Sequence, residues 1–230
     1  MKKILSNSFV VSAFLFLSKI LGFIRDLLLA AFFGSTSALQ AFLIAFRLPE
    51  FMRKVTSSGV LTQVLNPHLE SSISSEQKSF VVTVLYFVAV VLLFITVSAI
   101  YFSSFWVDIY AYGLQDESLL GLVNTLFVVM IPYVLFNFAV GLISAILNSY
   151  SRYIVSSLLP LILNIVMIIG IVLSPYASVP IEMVAYSVLV AGVLQFMVAL
   201  KALHGLAGRI ELKMTVMNLK DINAKVFLRK

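Results

Sequence analysis

Cysteine is absent from this 230-residue chain, and histidine occurs only twice. The first absence excludes disulfides and thiolate metal sites; the second leaves His68 and His204 too far apart in the chain to suggest a metal centre. Charge is scarce too, at 11% of residues, against 61% hydrophobic residues and a mean hydropathy of +1.08. A soluble domain has no use for that much apolar surface, so the composition points to an all-α protein that crosses a membrane several times. No Gly-rich phosphate loop, nucleophile–base set or Cys/His cluster is present, and nothing suggests a cofactor or an enzyme. The net charge of +6 invites a nucleic-acid reading. The basic residues argue against it, because they flank or interrupt apolar runs and form no solvated stripe.

What is present in quantity is long apolar runs. A helix needs about 20 residues to cross the hydrocarbon core. Six runs qualify: Phe9–Phe33, Leu39–Leu65, Phe80–Val107, Leu119–Leu147, Tyr153–Leu173 and Met183–Leu203. Turn-forming segments such as "GSTSA" at 34–38 and "NSYSR" at 148–152 separate them. The first run has the basic start of a signal peptide, but Lys19 interrupts it and no small-residue cleavage site follows, so it reads as a retained span. These runs predict a six-helix lobe over residues 1–204. A basic segment over 205–230 follows, either a tail on the inner leaflet or a connector to a seventh helix. Pro49, Pro132 and Pro160 are expected kinks.

Orientation follows from loop cations. With the amino terminus inside, the inner segments hold Lys2, Lys3, Lys78, Arg152, Lys201, Arg209, Lys213, Lys220, Lys225, Arg229 and Lys230, and the outer loops hold none. Both termini are therefore expected on the cytoplasmic side.

Five cations remain inside the first two runs: Lys19, Arg25, Arg47, Arg53 and Lys54, with Asp26 and Glu50 as the only acids. Facing lipid, each central cation costs roughly 2.5–3.5 kcal/mol, against about 0.3–0.6 kcal/mol returned by an apolar residue. The helical wheel gathers Ser18, Lys19, Gly22, Arg25 and Asp26 within roughly 120°, and Gln40, Arg47, Glu50, Arg53, Lys54, Ser57 and Ser58 within roughly 140°. Each helix thus has one polar side. Pairing Asp26 with Lys19 or Arg25, and Glu50 with Arg47 or Lys54, cancels part of the charge, and snorkelling relieves Arg53 and Lys54. Five cations less two acids still leave a surplus of three. A watered cationic cavity for an anionic ligand accounts for that surplus, and arginine's planar fork suits phosphate oxygens. The uncharged polar residues Asn124, Asn137, Asn164 and Gln195 are expected to make helix-to-helix hydrogen bonds.

The stretches "SKILGFIRDLLLAAFFG", "LQAFLIAFRLPEFMRKVTSSG" and "AILNSYSRYIVSSLLPLILNI" resemble, in that order, three segments of the MurJ/MviN lipid II flippases. That family belongs to the multidrug/oligosaccharidyl-lipid/polysaccharide exporter superfamily. The resemblance implies two pseudo-symmetric helical lobes around a central cationic cavity, of which this chain matches the first. It implies translocation of the lipid-linked peptidoglycan precursor from the inner to the outer leaflet of the bacterial plasma membrane. By matching position, Lys19, Arg25 and Arg53 stand where family arginines line that cavity, with Lys54 at a neighbouring basic position. The implied partners are lipid II or a similar anionic polyprenyl-pyrophosphate lipid, the membrane, and a second lobe or a second copy. Three positions depart from the family: Lys19 replaces arginine, Gln40 an aspartate, and Ser58 a glutamate. The alternatives are a flippase for another polyprenyl-pyrophosphate glycan, or a non-transporting half-length remnant or membrane interaction protein.

Overall fold

The computed structural model describes residues 2–57, 75–112 and 116–207, together with Gln63. Ser58, the end of the second apolar run and the basic segment from residue 208 lie outside the described residues. The described chain is all helix apart from turns. Its α-helices are α1 (Lys2–Phe33), α2 (Ser37–Ser57), α3 (Ser75–Tyr101), α4 (Ser103–Tyr110), α5 (Glu117–Met130), α6 (Tyr133–Ser149), α7 (Tyr153–Leu173) and α8 (Pro180–Ala207), with a 3-10 turn at Ser174–Tyr176.

Among the described residues, three units are long and apolar enough to cross a membrane: Glu117–Ser149, Tyr153–Tyr176 and Pro180–Gly205. The first joins α5 and α6, which are interrupted where Pro132 follows Ile131. Pro160 and Pro49, by contrast, sit inside continuous helices. A bent fourth unit pairs Ala89–Tyr101 with Ser103–Ile109 at 96°. The apolar run through Val107 is therefore not one straight rod. It turns at Phe102, and α4 buries Val107 and Ala111 while exposing Phe102, Phe105 and Ile109. From Phe9 onward α1 holds Lys19, Arg25 and Asp26, and α2 holds Arg47, Glu50, Arg53 and Lys54; neither is an apolar rod.

α1 and α2 meet at a tight turn. Gly34 takes a left-handed conformation (φ 56°) and its N–H donates to the Ala30 carbonyl, closing α1. From that turn the two helices part. α1 lies chiefly against α7, whereas α2 packs on α5 and α6. The core sits between α2, α5 and α8, where Ala41, Phe42 and Ala45 meet Val123, Leu126, Phe127 and Met130.

α8 approaches α6 and α7 closely because small residues face the contact. A Cβ on Gly170 would lie 2.5 Å from that of Ser187, and one on Gly192 would lie 2.7 Å from the Tyr133 ring. We expect Gly170→Ala to destabilise the fold by about 1–3 kcal/mol through overpacking. Gly121→Ala has nothing within 4 Å of the new carbon, and is expected to stabilise α5 by about 0.5–1 kcal/mol. Unfolding of the detergent-solubilised chain by SDS titration separates the two.

Asp116 caps α5. Its Oδ1 accepts from the Ser118 hydroxyl at 2.7 Å, the Ser118 N–H at 2.9 Å and the Leu119 N–H at 3.2 Å. These bonds, the Ser118 hydroxyl foremost, favour the carboxylate and lower its pKa from the ordinary 3.8. A lowered folded pKa means that the cap's contribution is complete above the ordinary aspartate value and is lost as pH falls through the folded one. Asp116→Asn retains an acceptor and should flatten that acid-side loss of stability. Melting curves of both proteins across the acid range test this.

Candidate functional site: a cationic lobe face

The polar arc of α1 is divided by its packing. Ser18, Gly22 and Arg25 face α7, while Lys19 and Asp26 are exposed. Asn164 of α7 joins them: its Nδ2 donates to the Ser18 carbonyl at 2.9 Å, and its Oδ1 accepts from Arg25 Nη1 at 3.1 Å. Because the Ser18 carbonyl can only accept and Arg25 can only donate, the orientation of the Asn164 amide is fixed. Arg25 also donates through Nε and Nη2 to Asp26 Oδ1 at 2.9 and 2.8 Å. Its guanidinium is thus held on three sides, with 14% of the side chain exposed.

On α2, helical spacing brings Glu50 against Arg53 (i,i+3) in a bidentate pair at 2.8 and 2.9 Å, with Lys54 (i,i+4) at 3.6 Å. Glu50 therefore pairs with Arg53 and Lys54, and not with Arg47. Arg53 faces a cavity of about 200 Å3 between α2, α6, α7 and α8, whose wall also includes Thr56, Asn137 and Gln195. Asn137 donates to the Thr56 hydroxyl oxygen at 3.1 Å, joining α6 to α2.

Arg47 is elsewhere. It lies in a separate, open groove of about 450 Å3 with Gln40, Gly34, Thr36, Ala111 and Tyr112. Arg47 and Lys19 are both exposed and have no carboxylate partner among the described residues. The expected single cavity is thus distributed over three places: the Arg25 clasp on α7, the Arg53 cavity, and the Arg47 groove. The first two are close enough for Arg25 and Arg53 both to act electrostatically on Glu50 and Tyr133. Two carboxylates engage three of the five cations, so the net surplus of three persists.

Two residues enter this site without a signal in the sequence. Tyr133 is fully buried, yet its hydroxyl has no hydrogen-bond partner. Asn164 was legible as a helix-to-helix bond but not as the residue that orients Arg25. Asn124, expected to bridge helices, has an unpaired Oδ1.

A family profile described as "Lipid II flippase MurJ" matches residues 29–229. The chain belongs to the MurJ lipid II flippase family. Among its relatives, the probable lipid II flippase MurJ of Buchnera aphidicola subsp. Acyrthosiphon pisum is 32% identical over 200 residues, which cover 84% of this chain and 39% of that protein. The lipid II flippase MurJ of Burkholderia cenocepacia matches with the same identity and coverage, 32% over 84% and 39%. A solved structure titled "Lipid II flippase MurJ, inward closed conformation" aligns with a TM-score of 0.73 at 26% identity, covering 84% of this chain and 41% of that one. The chain spans about two fifths of the length of these curated MurJ relatives. Membership fixes the fold class as the all-α, polytopic MurJ type.

Asn164→Leu removes the bonds that hold α1 to α7 and leaves Arg25 short of an acceptor. We expect a loss of about 1–3 kcal/mol in stability. A spin-label distance between α1 and α7, conveniently measured in a cysteine-free chain, should broaden in the variant and stay narrow in the parent.

Proposed function

We propose that these residues form one lobe of a lipid II flippase, with the other lobe, or a second copy, facing the charged sides of α1 and α2. The lobe lies in the bacterial plasma membrane with both termini on the cytoplasmic side, as the loop cations favour. The pyrophosphate of the lipid-linked peptidoglycan precursor enters from that side. Lys19, Arg25, Arg47, Arg53 and Lys54 replace its hydration, while Ser18, Asp26, Gln40, Glu50 and Ser58 support them. Rocking of one lobe against the other then exposes the headgroup to the outer leaflet. The lobe moves a lipid and makes or breaks no covalent bond.

The observation that carries this reading is the surplus of three positive charges on helices that belong in a membrane. Internal pairs do not remove it, since Asp26 and Glu50 are the only carboxylates on α1 and α2. A diphosphate supplies the missing negative charge and matches the arginine forks.

The test is Arg25→Ala or Arg53→Ala, with a second lobe supplied, in a bacterium depleted of its own flippase. Losing a charge-assisted hydrogen bond should lower outer-leaflet delivery of the precursor roughly ten- to hundredfold. Undiminished delivery by both variants defeats the assignment.

A further inference from the structure

The cavity beside Arg53 has a polar wall that no anion explains. Gln195 on α8 is only 4% exposed, and its Nε2 donates to the Leu159 carbonyl at 2.7 Å. A backbone carbonyl can only accept, so the amide cannot be flipped and Oε1 is fixed as an acceptor. That Oε1 is buried, lies on a residue lining the cavity, and has no donor. A buried, unmatched acceptor is costly, and native interiors rarely keep one without a partner.

The same logic fixes the neighbours. The Thr56 hydroxyl donates to the Met52 carbonyl at 2.9 Å, so its oxygen accepts from Asn137 Nδ2 and leaves Asn137 Oδ1 as a second acceptor. Asn148 Oδ1 accepts from Ser156 at 2.8 Å across the α6–α7 turn. That turn is tight: Ser151 takes a left-handed conformation (φ 58°), and the Arg152 N–H reaches back to the Leu147 carbonyl at 2.9 Å. The wall therefore presents acceptors in set positions. Its only cation is Arg53, two of whose donor nitrogens are already bound to Glu50.

A phosphate at neutral pH has oxygens that accept and scarcely a hydrogen to give. It suits Arg53 and finds only repulsion at Gln195. We infer that the cavity is a subsite for an uncharged, donor-bearing group, a sugar hydroxyl or an N-acetyl amide, attached next to a diphosphate held at Arg53. The space of about 200 Å3 equals roughly six waters at about 30 Å3 each, enough for an acetamido group with part of its ring. This rests on the flippase reading and adds what the lobe reads besides charge.

The experiment uses the full chain in lipid nanodiscs and two probes, undecaprenyl diphosphate and the same lipid carrying an N-acetylated disaccharide. Gln195→Leu should weaken the glycosylated probe about fivefold, the worth of one neutral hydrogen bond, and leave the bare diphosphate unchanged. Ser144→Val narrows the cavity without touching the Gln195–Leu159 bond and should show the same selectivity, which guards against a misfolded Gln195 variant. Arg53→Gln should weaken both probes. If the parent binds both and neither cavity variant discriminates between them, the subsite is overturned and the diphosphate reading stands. If the parent binds neither probe, both fall together.

Discussion

The Asn164 clasp is the contact on which the site's geometry depends. It holds α1 against α7 through the Ser18 carbonyl and the Arg25 guanidinium, while α2 is held by α5 and α6. The two helices share a turn at Gly34 and then belong to different neighbours. Without that divergence, two consecutive helices carrying five cations would face each other, and repulsion would be added to the cost of desolvation. With it, the cations stand on separate surfaces, each with its own polar environment.

The ion pairs act within that frame as positioners. Arg25–Asp26 and Arg53–Glu50 join residues one and three apart, so they form whenever the helices form and owe nothing to tertiary folding. Half-exposed pairs of this kind contribute little to stability. Their physical effect is to fix two guanidinium planes, so that less rotamer freedom is lost when an anion arrives. The Arg47 groove shows the contrary case. Gln40 lines it with Arg47, at the position where the family resemblance leads one to expect aspartate. Amide in place of carboxylate leaves the groove positive.

The class of fold was legible because hydropathy reports directly on the solvent. The break at Pro132 was legible for the same kind of reason, a missing N–H that no context restores. The turn at Phe102 was not: "YFSSFWV" contains neither proline nor glycine, and a continuous apolar run gives no hint that its helix bends by 96°. At the site, the charged residues announced themselves by their cost in a membrane, and the wheel placed them on one side of each helix. The wheel gives an angle about one axis and says nothing of which neighbour occupies it. The division of the cations among three places, the role of Asn164 and the orphaned hydroxyl of Tyr133 all depend on partners far away in the chain. The Arg25–Asn164 bond, for example, spans 139 residues.

Rigidity completes the argument from structure to transport. Rocking a lobe needs a body that moves as a unit, and lipid gives helices little hydrophobic reason to stay together. Here the cohesion is steric and local. α8 sits so close to α6 and α7 that Gly170 and Gly192 have no room for a methyl group, and Gln195 adds a buried hydrogen bond across the α7–α8 seam. The charged helices are attached to that block by hydrogen bonds at Asn164 and Asn137. Close packing makes the body stiff, and amide bonds carry its motion to the cations. A headgroup bound at Arg25 and Arg53 would therefore be displaced with the lobe as a whole, which is the condition for carrying it across a membrane without dragging each charge through lipid separately.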